Sequence, residues 1–168
     1  MIATRWVFTD KHAHLRDKYP TIALLAKARL VVIGCLEDTS SIRGDAPTCS
    51  LLGLHLLCSV TASNLWKLRK FDAKNAYLQS GGIERVLLLK MPNPPPPGES
   101  ASSIMQALGS IYGTKDAGRA FWMFLEKIFL ACGWVVSRLE LALFFFYDAG
   151  VLVAVAGTHV DDILMGYD

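Results

Sequence analysis

The chain has 168 residues, 52% of them hydrophobic and 19% charged, with a formal net charge of +2. That is enough for one domain with a buried core, and it excludes a globally disordered chain. The small net charge conceals a division. Residues 1–74 carry 11 Lys/Arg against 6 Asp/Glu (net +5), and residues 75–168 carry 6 against 9 (net −3). A basic front and an acidic back suit a protein that grips a polyanion and collects cations, although ordinary scatter gives the same numbers. Cys35, Cys49, Cys58 and Cys132 have no CxxC spacing and no paired histidines, and read as free thiols of a reducing compartment. Residues 1–20 are polar and charged throughout, unlike a signal peptide. The most lipid-like run, Leu141 to Gly157, is broken by Asp148-Ala149-Gly150 into pieces too short for a spanning helix of about 20 residues, so no membrane span is expected.

In chain order, residues 4–9 read as a strand and Asp10 to Tyr19 as a charged turn or loop. Residues 26–34 read as a second strand ending at Gly34. Lys27 and Arg29, two apart, project from one face, suited to phosphates or simply solvated on an edge strand. Glu37 to Ala46 is polar and loop-like. Ser50 to Leu65 is apolar and reads as a buried helix with Ser50 as N-cap. Trp66 to Asp72 alternates apolar and basic residues as a strand does, and Ala73 to Leu78 is able to turn and continue as helix. Gly81-Gly82 marks a turn, Val86 to Met91 a strand, and Pro92 to Gly98 an extended surface loop, either a connector or a motif for a proline-reading domain. From Ala117 to Phe129 apolar residues recur at helical spacing, with Thr114 placed to cap and Gly133 to end the helix. Leu141–Tyr147 and Val151–Thr158 flank Asp148-Ala149-Gly150 as a hairpin.

The second strand of that hairpin runs into Asp161-Asp162, with aliphatic Ile163 to Met165 beyond. Two adjacent carboxylates between apolar strands are costly unless a tight turn exposes them to water, a metal or a partner. A metal-binding hairpin tip and a solvated Asp-Asp turn both satisfy that requirement. An Asp at the end of one central strand (Asp72) and an Asp pair in a neighbouring hairpin can converge in an α+β fold of the split βαβ type, a mixed sheet with helices on one face.

Five blocks in order carry a resemblance. Lys27-Ala28-Arg29-Leu30-Val31 looks like K-A-R-L-V, and Asp72-Ala73-Lys74-Asn75-Ala76-Tyr77-Leu78 like D-V-K-x-A-F-L. Residues 111–120, Ile-Tyr-Gly-Thr-Lys-Asp-Ala-Gly-Arg-Ala, resemble L-Y-G-L-K-Q-A-P-R-A. Ser137 to Phe144 resembles S-x-x-D-x-x-L-F, and His159 to Leu164 resembles Y-V-D-D-I-L. These are the blocks of copia-type LTR retrotransposon reverse transcriptases, and the resemblance covers roughly residues 5 to 167.

The resemblance implies a right-hand polymerase without its thumb. Residues 1–66 would form fingers and a first palm helix, and residues 67–168 mainly a ferredoxin-like palm with the proline-rich loop 92–98. It implies RNA-directed DNA synthesis, a nucleotidyl transfer from dNTP to a primer 3′-hydroxyl with two Mg²⁺ (or Mn²⁺) ions about 3.5–4 Å apart. Asp72, Asp161 and Asp162 would be the catalytic and metal-binding acids. Arg29 and Lys27 would hold the triphosphate beside Ala73, and Tyr77 would exclude a 2′-hydroxyl. Partners would be an RNA template and a DNA or tRNA primer, in a cytoplasmic retrotransposon particle or in the nucleus. Four positions depart from the pattern. Asp116 stands in place of Gln near the nucleotide, Gly118 in place of Pro, His159 in place of Tyr, and Glu140 in place of Asp. Arg119 matches a family arginine without an assigned role. Only six residues follow Asp162, so the thumb, RNase H and integrase parts of the polyprotein lie outside the chain. The alternatives are an inactive retrotransposon remnant, a nucleic-acid-binding module stacking bases on Trp66, Tyr77 and Trp122, and an Asp-dependent metal hydrolase.

Overall fold

Four strands that follow the long helix near the chain's end build most of its main sheet. The structure, a computed structural model, describes residues 1–38, 40 and 42–168. The elements are β1 (Thr4–Asp10), β2 (Ala26–Val32), α1 (Leu51–Ser63), β3 (Lys67–Asp72), α2 (Ala76–Gln79), β4 (Gly82–Lys90), β5 (Ile104–Gly109), α3 (Ala117–Ala131), β6 (Val135–Val136), β7 (Leu143–Asp148), β8 (Val151–His159) and β9 (Asp162–Tyr167). The main sheet runs β3-β9-β8-β7-β6, so the strand that ends in Asp72 is an edge strand and not the central one expected, while β1-β2 and β4-β5 form separate two-stranded sheets.

The fold is α+β, as expected. The expected mixed sheet is antiparallel at every ladder of its five strands, and the parallel pairing outside them is the isolated Ile2–Leu89 bridge. The helices cover both faces of the sheet, not one. On β7 and β8 the adjacent residues Leu143 and Phe144, and again Val155 and Ala156, are all buried, which alternation permits only if each face has a cover. Leu57 of α1 packs with Leu143 and Val155 on one face. Phe121, Leu125 and Phe129 of α3 pack with Phe144 and Ala156 on the other.

The sequence of α1 is apolar all round, yet the helix is not buried all round. It lays Gly53, Leu57 and Thr61 on the sheet and leaves Leu51 and Leu52 70% and 78% exposed. Ser50 caps it by accepting from the Gly53 N–H at 3.1 Å. Glu140 in turn accepts from the Ser50 hydroxyl at 2.8 Å and from its backbone N–H, so this acid ties the loop before β7 to the start of α1. The seat of α1 on β9 is tight. A Cβ on Gly166 would stand 1.9 Å from Thr61 Oγ1.

Thr114 does not cap α3. Its hydroxyl donates to the Ile111 carbonyl at 3.0 Å, and Asp116 occupies the N-cap position without a side-chain cap bond. Gly133 does close the helix, at φ 86° with its N–H on the Leu130 carbonyl at 3.0 Å. Strands β5 and β6 were not legible in the sequence, and β4 begins at Gly82 instead of Val86. The loop expected over residues 37–46 includes Thr39 and Ser41, which lie outside the described residues. The proline-rich loop is pinned by Trp6, whose indole N–H donates to the Pro94 carbonyl at 2.8 Å. Among the described residues no helix is long and apolar enough to cross a membrane.

Candidate active site

Three backbone relationships gather the acids. Asp72, the last residue of β3, is the register partner of Asp162, the first residue of β9. The β8–β9 hairpin closes from His159 to Asp162 through Val160 and Asp161. The Ala73 N–H then donates to the Asp161 carbonyl at 2.8 Å, fixing the end of β3 against the hairpin tip. Val160 takes φ 56° in that turn, a conformation costly for a β-branched residue, of order 1–3 kcal/mol.

Asp72 and Asp161 line one cleft of about 570 Å³ together with four cations, Lys11, Lys27, Arg29 and Lys74. Asp162 does not line it. Its Oδ2 sits 2.8 Å from Lys70 Nζ. That hydrogen bond, followed by the charges of Asp162, Asp72 and Asp161, holds the Lys70 ammonium above its ordinary pKa. Among the described residues no three His, Cys, Asp or Glu side chains converge as a metal site. The triad is therefore contiguous in backbone and divided in side chains, two acids in the cleft and one tied to a lysine beside it.

The cleft wall is aromatic and basic. The end of β2 is held to the segment before α3 by the Val32 N–H donating to the Tyr112 carbonyl at 2.8 Å, next to Gly113 at φ 93°. A Cβ on Gly113 would meet the Val32 carbonyl oxygen at 2.1 Å, so only glycine permits this approach. The contact brings Tyr112 under Arg29, with the guanidinium carbon 5.9 Å from the ring centroid. Tyr77, on α2, meets Tyr112 edge-on at 5.2 Å. Burial raises the Tyr77 hydroxyl pKa, and the Asp161 charge adds to it. Arg29, Tyr112 and Tyr77 thus form a column that ends near Asp161.

The remaining candidates stand elsewhere. Asp116 turns from the cleft to Arg85, which also takes Glu37 at 2.7 Å. Burial alone would raise the Asp116 pKa, but the hydrogen bonds and charge of Arg85 leave it lowered. Arg119 binds the Asp45 carboxylate at 3.0 Å and its carbonyl at 3.2 Å. His159 is exposed at the end of β8. Lys11, Lys70, Lys74 and Tyr112 were not singled out from the sequence. Tyr112 lay within a quoted block, Lys70 and Lys74 stood beside Asp72, and Lys11 gave no local signal because only the fold brings it to the cleft.

Comparison with known proteins agrees with the motifs. Residues 1–168 match the family described as reverse transcriptase (RNA-dependent DNA polymerase). Two Arabidopsis thaliana proteins, the retrovirus-related Pol polyproteins from transposons RE1 and RE2, are each 25% identical over 173 residues. The alignments cover 98% of this chain and 11% of each relative, so the chain spans about a tenth of their length. No solved structure gives a significant match. With the family matched from end to end and transposon Pol polyproteins as relatives, the chain belongs to the reverse transcriptase (RNA-dependent DNA polymerase) family in its copia-type form.

Proposed function

We propose that the chain carries the nucleotidyl-transfer centre of an RNA-directed DNA polymerase, with residues 1–66 as fingers and first palm helix and residues 67–168 mainly as palm. The observation that supports this reading is the junction of Asp72 with the Asp161-Asp162 hairpin at the mouth of a basic cleft. Hard carboxylate oxygens are the donors that suit Mg²⁺, which binds through one or two carboxylates plus substrate phosphates and needs no complete protein cage. Asp72 and Asp161 would hold the ions, with Asp162 joining once Lys70 releases it. When bound, such ions activate the primer hydroxyl and neutralise the developing phosphate charge.

The protein's own residues supply the rest. Arg29, Lys27, Lys11 and Lys74 bind and orient a triphosphate by charge-assisted hydrogen bonds. Ala73 places its backbone beside the acids. Tyr112 and Tyr77 bound the sugar site, Tyr77 as the bulk that excludes a 2′-hydroxyl. The Asp116–Arg85 pair keeps the carboxylate that replaces the family's Gln away from the triphosphate. RNA template and DNA or tRNA primer are the proposed partners, in a retrotransposon particle.

Primer extension on an RNA template with Mg²⁺ tests the reading. The chain should extend the primer, and Asp72→Asn and Asp161→Asn should each abolish extension while keeping the fold. Equal signal in wild type and variants, or none in any, would overturn the enzyme in favour of an inactive remnant.

A further inference from the structure

Strand β3 forms one edge of the main sheet, and all six of its residues are exposed. Its pairing with β9 sets Lys67 opposite Tyr167, with Arg69 two residues along the same face. The Lys67 ammonium and the Arg69 guanidinium carbon each lie 5.9 Å from the Tyr167 ring centroid. One ring is therefore flanked by two cations, and among the described residues neither cation makes an ion pair. Phe71, 44% exposed, continues that face toward Asp72.

We infer that Lys67, Arg69 and Tyr167 form a ledge that binds single-stranded nucleic acid as it passes along β3 to or from the cleft. Cations that track phosphates, interleaved with an aromatic ring on which a base stacks, are the chemistry of sequence-tolerant single-strand binding. From Lys67 to Asp72 the strand spans about 17 Å at 3.3 Å per residue, the reach of a few nucleotides. Bases of a duplex are already stacked within it, so the ring favours a single strand. The aromatics that the sequence suggested for stacking are committed elsewhere. Trp66 packs against the α1 core, Tyr77 against the α3 core, and the Trp122 indole nitrogen is buried. The ledge rests on the polymerase reading only for its direction toward the cleft.

The test is fluorescence anisotropy of a labelled oligo-dT, titrated with the whole chain over a range of salt concentrations. Lys67→Gln/Arg69→Gln should lower the log–log salt slope by about 1.4, the value for two lost phosphate contacts on a single strand. Tyr167→Leu should weaken binding about fivefold or more with the slope unchanged. Asp161→Asn should leave oligo-dT binding intact, and a wild-type chain that binds oligo-dT yet extends no primer would sink the polymerase reading and not the ledge. If the two cations serve only to protect the sheet edge, the double variant binds as wild type does and the ledge is wrong. Competition by polyglutamate as effective as by unlabelled oligo-dT would equally overturn the nucleic-acid assignment.

Discussion

Lys70 reaches across from β3 to Asp162 on β9, Nζ to Oδ2 2.8 Å, and so sets a cation between the two strands whose ends carry the acids. Asp72 stands directly opposite Asp162, and like charges in that position destabilise a strand pair. On the proposed two-metal reading, the lysine supplies in the free protein the positive charge that a bound divalent ion would supply. The pair is exposed, 63% and 42%, so its own contribution to stability is small.

If the proposed site binds Mg²⁺, Lys70→Gln should lower the melting temperature slightly without metal and give a larger upward shift than wild type when Mg²⁺ is added. Loss of that competing charge should tighten Mg²⁺ binding by roughly a few-fold, less at high salt. Thermal melts with and without Mg²⁺ read both effects. A variant that responds to Mg²⁺ less than wild type does would show that Lys70 supports the ion instead of standing in for it.

Arg85 joins β4 to the N-terminus of α3 and to Glu37, with side-chain exposures of 27% for the arginine, 19% for Asp116 and 5% for Glu37. Removing the cation leaves two poorly solvated carboxylates facing each other. Arg85→Leu should cost about 2–4 kcal/mol in urea unfolding, toward the lower end of the range for breaking a buried pair because the arginine keeps some water. Asp116 has a folded pKa below its ordinary 3.8, so its contribution is present above that value and is lost as pH falls through the lowered one. The wild type should accordingly lose more stability than Asp116→Asn on acidification below about pH 4. Parallel acid titrations of the two proteins would contradict this.

The sequence showed the order of the principal elements and the meeting of Asp72 with the Asp161-Asp162 hairpin, because period-2 alternation and turn residues are local signals. It concealed β5, where Ile104 and Leu108 are apolar but face outward and erase the alternation. It misplaced α1 as fully buried, since a helix apolar on all sides gives no hint of which side lacks a cover. Which face each helix takes depends on packing partners distant in sequence. The division of the triad was equally hidden, because the Lys70–Asp162 pair arises from strand register and not from spacing.

The closeness of α1 to β9 makes Gly166 a steric test of the sheet's packing. An added Cβ would meet Thr61 at Oγ1 (1.9 Å) and at Cβ (2.9 Å), and the second contact cannot be relieved by rotating the hydroxyl. Thr61 is buried, with its hydroxyl donating to the Leu57 carbonyl at 2.7 Å. Gly166→Ala should destabilise by about 1–3 kcal/mol, the range for overpacking a core. Thr61→Ala added to it should recover part of that loss. A neutral Gly166→Ala would mean that α1 sits farther from the sheet.

Cys49 distinguishes itself from the other three cysteines by burial, beneath α1 and beside Glu140. Burial, aided by the Glu140 charge, pushes its thiol up from 9.0 to about 11. The reactive species is the thiolate, so iodoacetamide at pH 8 should label exposed Cys35, Cys58 and Cys132 quickly and Cys49 only after unfolding, as peptide mass mapping will read. The linkage has a definite sign. Below pH 9 the thiol is neutral in both folded and unfolded chains, and its contribution to stability is complete. Between pH 9 and about 11 the unfolded chain ionises first, so stability falls as pH rises. Cys49→Ala removes that decline and leaves a small cavity in exchange. It should be less stable than wild type at pH 7, by an amount that shrinks toward pH 11. A stability difference that stays constant across that range would show that the thiol titrates as freely in the folded chain as in the unfolded one.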